Sequence, residues 1–369
     1  MKKIKVYLQR PWKFADSSYY KYLVKYPPKE IEFLNVRGDE GAIESGKKMR
    51  FLQKIKQTIK KFLSPFSIPN VHLTRYKGEY DLIHCTHCLS LNKKKLWVAD
   101  IEYVKQLWVS NKPYEDMSEN KKIVEKILKR TNCKKILAWT EWVKKDILKF
   151  FPEIENKIEI VGFAMPSPEF LKEKTSKIKL LFSSRRFYFK GGLYALEVID
   201  NLTKKYKNVE GIIISDTPNE ILEKYKSNKK IKFYDLITQK KLFEEIYPKS
   251  DIFIYPSYTD TFGFGFIEAM AFGLPLVGIE GHCNKELITE GKTGFIIPKE
   301  QELDLKNIGK KEKKIIDKLQ EKTELLIKNK ELRNLMSKNG ISEVKTGRFS
   351  IKNRNEKLKK IYEEILENI

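Results

Sequence analysis

Short apolar segments alternate with amphipathic helical segments along most of this 369-residue chain. Strands that are separated by single helices form right-handed βαβ units, in which the strands lie parallel. The alternation therefore predicts an α/β fold built on parallel sheets. In the second half of the chain the predicted strands cover residues 178–183, 209–214, 231–236, 251–256 and 275–279, with helical patterns in the intervals.

The first half carries a similar series, so the sequence predicts two doubly wound domains. At about 150 residues per domain, the length fits two. Helical patterns lie near 17–26, 47–63, 119–131 and 141–150. The predicted strands of this half cover residues 4–8, 31–36, 80–85, 96–101 and 134–139.

The segment 162–177 has two prolines, a charged stretch and no apolar periodicity, which is typical of a linker. We therefore predict an N-terminal Rossmann-like domain over 1–168 and a C-terminal one over 169–348. A separate helix is predicted over 349–369. Its apolar residues have the spacing of a helix with one apolar face, at Leu358, Ile361, Ile365 and Leu366.

The charge of the chain is strongly positive and unevenly distributed. Its 73 Lys and Arg exceed its 49 Asp and Glu by 24, and residues 1–150 hold 33 of the basic residues against 16 of the acidic ones. A basic half indicates a polyanionic partner: nucleic acid, an anionic membrane surface or a phosphorylated substrate. The alternative is a compositional bias of the whole proteome towards Lys, Ile and Glu.

Other signals concern the compartment of the protein. The chain has no apolar segment of about 20 residues, and its first residues are typical of a strand rather than a signal peptide. Four cysteines do not make a disulfide scaffold. We therefore expect a cytoplasmic protein.

The segment 46–63 predicts a basic amphipathic helix that either lies on the inner face of the membrane or packs on the N-terminal sheet.

A polar loop and a helix start follow the predicted strand 251–256. Gly263 and Gly265 flank the helix start, where a ligand can approach the backbone and the first N–H groups are available. The helix dipole favours an anion or an electron-rich oxygen there. Asp260 and Glu268 would repel an anion, so we expect them to hold hydroxyl groups. A nucleotide-sugar has both properties; the alternative is a helix that merely packs with small residues.

A second loop, after the predicted strand 178–183, carries Arg185 and Lys190 before two glycines open a helix. Both cations could reach a diphosphate and stabilise it as it leaves. Considered alone, the same cluster is more often a solvated loop.

Together the two segments resemble the retaining glycosyltransferases of the GT-B fold, in particular the large family 4 class (glycosyl transferases group 1). The phosphate loop of that family has the pattern G-R-L-x-x-x-K-G, and its signature is E-x7-E within E-G-F-G-x-x-x-x-E-A-M-A-x-G-x-P. This chain resembles the first pattern over 184–191, with Ser184 and Arg186 in place of Gly and Leu, and the second over 260–263 and 268–275, with Thr261 in place of the first Gly. The trailing motif of the family is echoed over 286–295.

The resemblance implies a role for each matching residue. Arg185 and Lys190 would bind the donor diphosphate, and Asp260 would contact the hydroxyls of the donor sugar. Glu268 would accept hydrogen bonds from the ribose. The sugar or the β-phosphate would be held by the backbone N–H groups of Gly263, Phe264 and Gly265. The resemblance also implies retention of the anomeric configuration, no divalent metal, no cofactor beyond a UDP- or GDP-linked donor, and a final helix that crosses back onto the N-terminal domain.

Two departures from the family pattern affect these expectations. Asp260 stands where the family has a Glu, so the side chain reaches one methylene less far. Glu102 stands where the family often has a cleft histidine. It is either a hydrogen-bond acceptor or weak base in the reaction, or a cap at the end of a strand.

The residues His84 to Cys88 contain two histidines and a Cys-x-x-Cys, a set that zinc would accept. They continue a buried strand, however, so neighbouring side chains point to opposite faces. We interpret them as buried small residues with one cleft histidine, and a structural metal site is the alternative.

The sequence therefore predicts a hexosyltransferase-type enzyme that has two Rossmann-like domains facing a cleft. It would move a sugar from a nucleotide-diphosphate-sugar to a saccharide or lipid-linked acceptor on the basic N-terminal side. The alternatives are a non-enzymatic binder of nucleic acid or membrane on the same fold, and a phosphorylase or a sugar-nucleotide epimerase.

Overall fold

The computed structural model of the chain describes residues 3–10, 18–36, 55, 58, 68–109, 120–172 and 175–367. The chain divides into two compact units. Unit 1 comprises residues 1–164 together with 351–369, and unit 2 comprises residues 165–350. The sequence placed these boundaries at 168 and 348.

Unit 1 is built on a six-stranded, fully parallel sheet with the strand order β2-β1-β3-β4-β5-β6. The five strands predicted from the first half are present, and the sixth was missed because it is only three residues long and contains Glu159. The strands are β1 (Ile4–Gln9), β2 (Ile31–Leu34), β3 (Leu82–Thr86), β4 (Trp97–Ile101), β5 (Cys133–Ala138) and β6 (Ile158–Ile160).

Three helices connect these strands: α1 (Ser18–Lys25), α2 (Lys121–Leu128) and α3 (Glu141–Phe150). Helix α3 begins where it does because the side chain of Thr140 accepts a hydrogen bond from the backbone N–H of Val143 at 3.1 Å. The predicted basic helix 46–63 lies outside the described residues except for two exposed positions, Ile55 and Thr58.

Unit 2 has a second parallel sheet, with the strand order β9-β8-β7-β10-β11-β12. Its strands are β7 (Ile178–Ser183), β8 (Val209–Ile214), β9 (Ile231–Tyr234), β10 (Ile252–Tyr255), β11 (Leu276–Ile279) and β12 (Gly294–Ile297). The first five were predicted; β12 was not, although the motif that contains it was recognised. The four inner strands are largely buried on both faces, as expected of a parallel sheet that is covered by helices.

The helices of unit 2 are α4 (Gly192–Lys205), α5 (Asn219–Tyr225), α6 (Phe264–Ala271), α7 (Asn284–Leu287), α8 (Lys310–Lys328) and α9 (Lys330–Lys345). The helix predicted over 239–247 is irregular, since it changes from α- to π- to 3₁₀-helical geometry over 239–249. Within the described part of the chain, none of the helices has the length and apolar character needed to cross a membrane.

The last helix, α10 (Ile351–Glu367), belongs to unit 1 although it follows unit 2 in the chain. Its buried face includes Leu358, Ile361, Tyr362 and Ile365. The predicted return of the C-terminal helix to the N-terminal domain is therefore confirmed.

A buried polar network joins α10 to the sheet of unit 1. The His84 ring lies between Asp100 and Tyr362, with Nε2 at 2.7 Å from the Asp100 carboxylate and Nδ1 at 2.6 Å from the Tyr362 hydroxyl. The hydroxyl of Tyr20 donates to the other oxygen of Asp100 at 2.9 Å. His84, Asp100 and Tyr362 are all fully buried, so each needs its partner. A neutral imidazole with its proton on Nε2 satisfies both bonds of the ring.

Replacing Tyr362 with Phe should lower the free energy of unfolding of the protein by about 1–3 kcal/mol, because it leaves His84 Nδ1 buried without its partner. Urea denaturation followed by tryptophan fluorescence measures this change. Tyr234→Phe is the control, since Tyr234 is exposed. Equal effects of the two substitutions would contradict the importance of the network.

Candidate functional site

The sheet of unit 2 changes winding direction between β7 and β10. The strands that follow β7 in the chain lie on one side of it, and those that follow β10 lie on the other. Ligands of such sheets bind in the crevice beyond the carboxyl ends of the strands at this switch point. The two loops that leave these strands, 184–191 and 256–263, carry most of the predicted site residues.

Close backbone packing brings the two loops together. The first loop ends at Gly191, which has a φ of +72°. A Cβ atom at this position would lie 2.5 Å from the carbonyl oxygen of Pro256, the first residue of the second loop. Only glycine tolerates both the positive φ and the contact. The first loop is also held by Asp216, which accepts a hydrogen bond from the backbone N–H of Phe187 at 2.7 Å.

An ion pair forms between the two loops. Lys190 Nζ lies 2.5 Å from Asp260 Oδ1, and the two side chains are 16% and 13% exposed. The second oxygen, Oδ2, is buried and has no hydrogen-bond partner among the described residues. The structure therefore brings together two residues that are 70 positions apart, and one carboxylate oxygen still has the capacity to accept.

Tyr255, the last residue of β10, lies beneath this ion pair. Burial raises the pKa of its hydroxyl well above the usual value, and the charge of Asp260 raises it further, while Arg185 opposes the shift. Arg185 is therefore close enough to the same hydroxyl to act on it. Three predicted site residues, Arg185, Lys190 and Asp260, thus lie near one another beyond the carboxyl ends of β7 and β10.

The start of helix α6 completes this side of the crevice. Gly263 caps the helix with a φ of +71°, and a Cβ atom there would approach Leu287 within 2.7 Å. The first N–H groups of a helix have no partner within the helix itself. Gly263, Phe264 and Gly265 are the cap and the first two residues of α6, and the predicted role of their N–H groups in donor binding stays a prediction.

Glu268 lies one turn further along α6 and is 8% exposed. Its carboxylate accepts a hydrogen bond from Gln239 Nε2 at 2.8 Å and one from the Tyr247 hydroxyl at 3.5 Å. Burial, followed by the charge of Glu268, raises the pKa of Tyr247 well above its usual value. Sequence analysis missed Gln239. The irregular helix over 239–249 is the local signal that could have indicated it, since π-helical turns are frequent at functional sites.

Glu102 lies in unit 1, whereas the other predicted site residues lie in unit 2. It follows the last residue of β4, and its backbone N–H donates to Gln106 Oε1 at 2.8 Å. Gln106 Nε2 in turn lies 3.5 Å from the Glu102 carboxylate. These contacts hold the end of β4, and the role of Glu102 in the reaction stays a prediction.

The residues His84 to Cys88 do not assemble into a metal site. His84 is held in the network with Asp100 and Tyr362, while Cys85 and Cys88 lie in the apolar core with Gln9 between them. All four cysteines are free thiols. Across the described ranges, no group of three or more histidine, cysteine or acidic side chains is placed to hold an ion.

Gly191→Ala should destabilise the protein by more than the roughly 1–2 kcal/mol that a left-handed backbone costs an L-residue. The additional cost comes from the contact of the new Cβ with Pro256. The matched control is Gly291→Ala, since Gly291 has the same φ of +72° and nothing lies within 4 Å of its Cβ direction. Urea denaturation of both variants isolates the contact, and equal losses of stability would mean that the loops do not need this close approach.

Comparison with known proteins identifies the family of this unit. Residues 166–343 match the family model described as glycosyl transferases group 1. An uncharacterised glycosyltransferase of Haemophilus influenzae is 30% identical over 181 residues, which cover 46% of this chain and 49% of that protein. An alpha-monoglucosyldiacylglycerol synthase of Acholeplasma laidlawii is 24% identical over 262 residues, or 62% of this chain and 65% of that protein. The matches span between 41% and 65% of the four curated relatives' own lengths.

Solved structures show the fold of the whole chain. A glycosyltransferase of Rickettsia africae superimposes with a TM-score of 0.61 at 16% identity, and all of both chains is covered. The Anabaena protein HepE in complex with UDP and glucose gives a TM-score of 0.61 at 13% identity over 98% of this chain and 100% of that one. The chain therefore has the GT-B fold, and its residues 166–343 match the glycosyl transferases group 1 model.

Proposed function

We propose that the protein is a retaining, metal-independent glycosyltransferase that moves a hexosyl group from a nucleotide-diphosphate-sugar to a saccharide or lipid-linked acceptor. The observation that carries the proposal is the grouping of Arg185, Lys190 and Asp260 around Tyr255 at the switch point of unit 2. The group 1 family match covers all three residues.

The two cations suit a departing diphosphate. Lys190 is largely buried, so its charge is poorly screened by water. Arg185 adds a planar group that can bind two phosphate oxygens at once. Together they stabilise the negative charge that develops when the glycosidic bond to the phosphate breaks. They supply the positive charge that a divalent metal would otherwise provide, which is the basis for proposing a metal-independent reaction without a cofactor.

Asp260 suits the donor sugar. Its Oδ1 is bound to Lys190, and its Oδ2 has no partner within the described part of the chain. A sugar hydroxyl that donates to Oδ2 satisfies a buried acceptor. Because Asp is shorter than the Glu of the family pattern, we propose that the sugar sits closer to the backbone of the 256–263 loop.

Glu268 and the start of α6 suit the rest of the donor. The Glu268 carboxylate is held on one side by Gln239, and a carboxylate has about four acceptor positions, so it can still accept from ribose hydroxyls. The backbone donors of Gly263, Phe264 and Gly265 face the sugar or the β-phosphate. UDP is our first choice of nucleotide, since the HepE structure contains UDP and glucose.

We place the acceptor on unit 1, because most of the net positive charge lies in the first 150 residues, where basic residues exceed acidic ones by 17 of the total 24. The name of the Acholeplasma relative denotes a lipid product, which supports a lipid-linked acceptor at an anionic membrane surface. The basic segment 46–63 would provide that contact. We propose that the carboxylate of Glu102, at the carboxyl end of β4, accepts a hydrogen bond from a hydroxyl group of the acceptor substrate.

A screen for thermal stabilisation by UDP-, GDP-, ADP- and CMP-linked sugars tests donor binding. A donor present at 100 times its Kd should stabilise the protein by about 2.7 kcal/mol. The stabilisation should appear as a raised Tm in differential scanning fluorimetry. The absence of stabilisation by all four classes, together with salt-dependent binding of nucleic acid, would instead favour the polyanion-binding alternative.

Substitution tests the proposed leaving-group site. Lys190→Ala and Arg185→Ala should each lower the transfer rate by about 100- to 1,000-fold, the usual effect of removing one stabilising donor. Release of nucleoside diphosphate from the donor measures the rate. Lys226→Ala is the control, because Lys226 is a 69% exposed lysine of the same unit that pairs only with the neighbouring Glu223. Unchanged rates in both site variants would disprove the assignment.

A further inference from the structure

A third loop lies at the candidate donor site. It follows strand β11, which lies outside the sequence motifs of the site. Strand β11 lies beside β10 in the sheet, and the residues Gly281, His282, Cys283 and Asn284 follow it. These four residues contact the backbone of residues 257–260, which belong to the 256–263 loop. We call them the 281–284 clamp.

Each member of the clamp makes a specific contact. Asn284 is fully buried and donates from Nδ2 to the carbonyl oxygen of Ser257 at 2.6 Å. The Cys283 thiol donates to the carbonyl oxygen of Asp260 at 3.3 Å. Gly281 passes so close to the Tyr258 carbonyl that a Cβ atom would collide with it. The clamp therefore fixes the backbone on both sides of Tyr258.

His282 contacts the loop that carries Asp260 and lies near Lys190. Its ring is hydrogen-bonded to the backbone of Thr259 and of Asp260, and it lies within electrostatic range of the Asp260 carboxylate and of Lys190. Burial is the main cause that lowers the pKa of the ring below its usual value of 6.5. The imidazole is therefore neutral at pH 7, and it acts as a hydrogen-bonding group rather than as a third cation.

The backbone of His282 supports a functional role. Its φ is +36°, in a region that residues other than glycine seldom occupy. Such conformations cost about 1–3 kcal/mol and persist where the surrounding structure imposes them, often at ligand sites.

We propose that His282 is a positioning residue of the donor site, which holds Asp260 at the distance that the donor sugar requires. This inference rests on the proposed function. The ring acts through the backbone of residues 259 and 260, and the carboxylate of Asp260 makes the contact with the sugar. His282 should therefore govern recognition of the sugar and leave recognition of the nucleoside diphosphate to Arg185, Lys190 and Glu268.

Parallel binding measurements with a nucleotide and with its sugar conjugate separate these two contributions. Isothermal titration calorimetry with UDP and UDP-glucose, and with GDP and GDP-mannose, gives the four dissociation constants. His282→Gly removes the ring and also suits the positive φ. It should weaken binding of the sugar conjugate about 10- to 100-fold, the effect of losing one well-placed hydrogen bond to a charged group. Binding of the free nucleotide should change by less than about twofold, well under the tenfold that corresponds to 1.4 kcal/mol.

Three further variants complete the test. His282→Asn tolerates a positive φ and keeps a side-chain N–H, so it should recover part of the lost affinity for the sugar conjugate. Gly281→Ala disturbs the same loop from another side, and it should reproduce the selective loss if His282→Gly does not fold. Asn339→Ala is the control, since it removes a 2.9 Å hydrogen bond to the Lys292 carbonyl. Lys292 precedes β12 and so lies at the amino ends of the strands, whereas the site lies at their carboxyl ends.

The outcomes distinguish the inference from the function on which it rests. If the wild type binds UDP-glucose or GDP-mannose and His282→Gly binds it equally well, the positioning role is wrong and the proposed function stands. Equal losses for the nucleotide and for its sugar conjugate would also overturn the positioning role. If the wild type binds none of the four ligands, the proposed function fails, and the role of His282 fails with it.

Discussion

All six strands of unit 2 run parallel, so their carboxyl ends lie along one edge of the sheet. This constraint decides where chemistry can occur. The loops after β7, β10 and β11 leave the sheet side by side, because these three strands are neighbours in the order β7-β10-β11. Residues that are far apart in the chain, such as Lys190 and Asp260, then meet at this edge.

Glycines make this convergence possible at close range. Gly191 lets one loop touch the backbone of the next, and Gly281 does the same on the other side of the crevice. Both sites exclude a Cβ atom for a steric reason, and Gly191 also needs a positive φ. The site is therefore shaped by backbone packing first, and its charged side chains are placed by that packing.

In unit 1, a helix from the end of the chain packs with elements from the first part of the chain. Helix α10 brings Tyr362 to His84, 278 positions away in the sequence. Arg354, also on α10, is buried and donates to the backbone carbonyls of Tyr22 and Tyr26. Buried polar groups are costly unless they are paired, so these bonds fix the position of the helix more specifically than apolar packing does.

The sequence by itself determined the α/β class, ten of the twelve strands of the two main sheets to within a few residues, and the two segments that carry the candidate site. These features depend on local periodicity and on glycine positions, which can be recognised without knowledge of distant contacts. Only the tertiary structure decided that Lys190 pairs with Asp260, that Gln239 holds Glu268, and that His282 lies against the 257–260 loop. No pattern in the sequence indicates that these segments are in contact. The order of the strands in the sheet decides which loops are neighbours, and that order differs from the order of the strands along the chain.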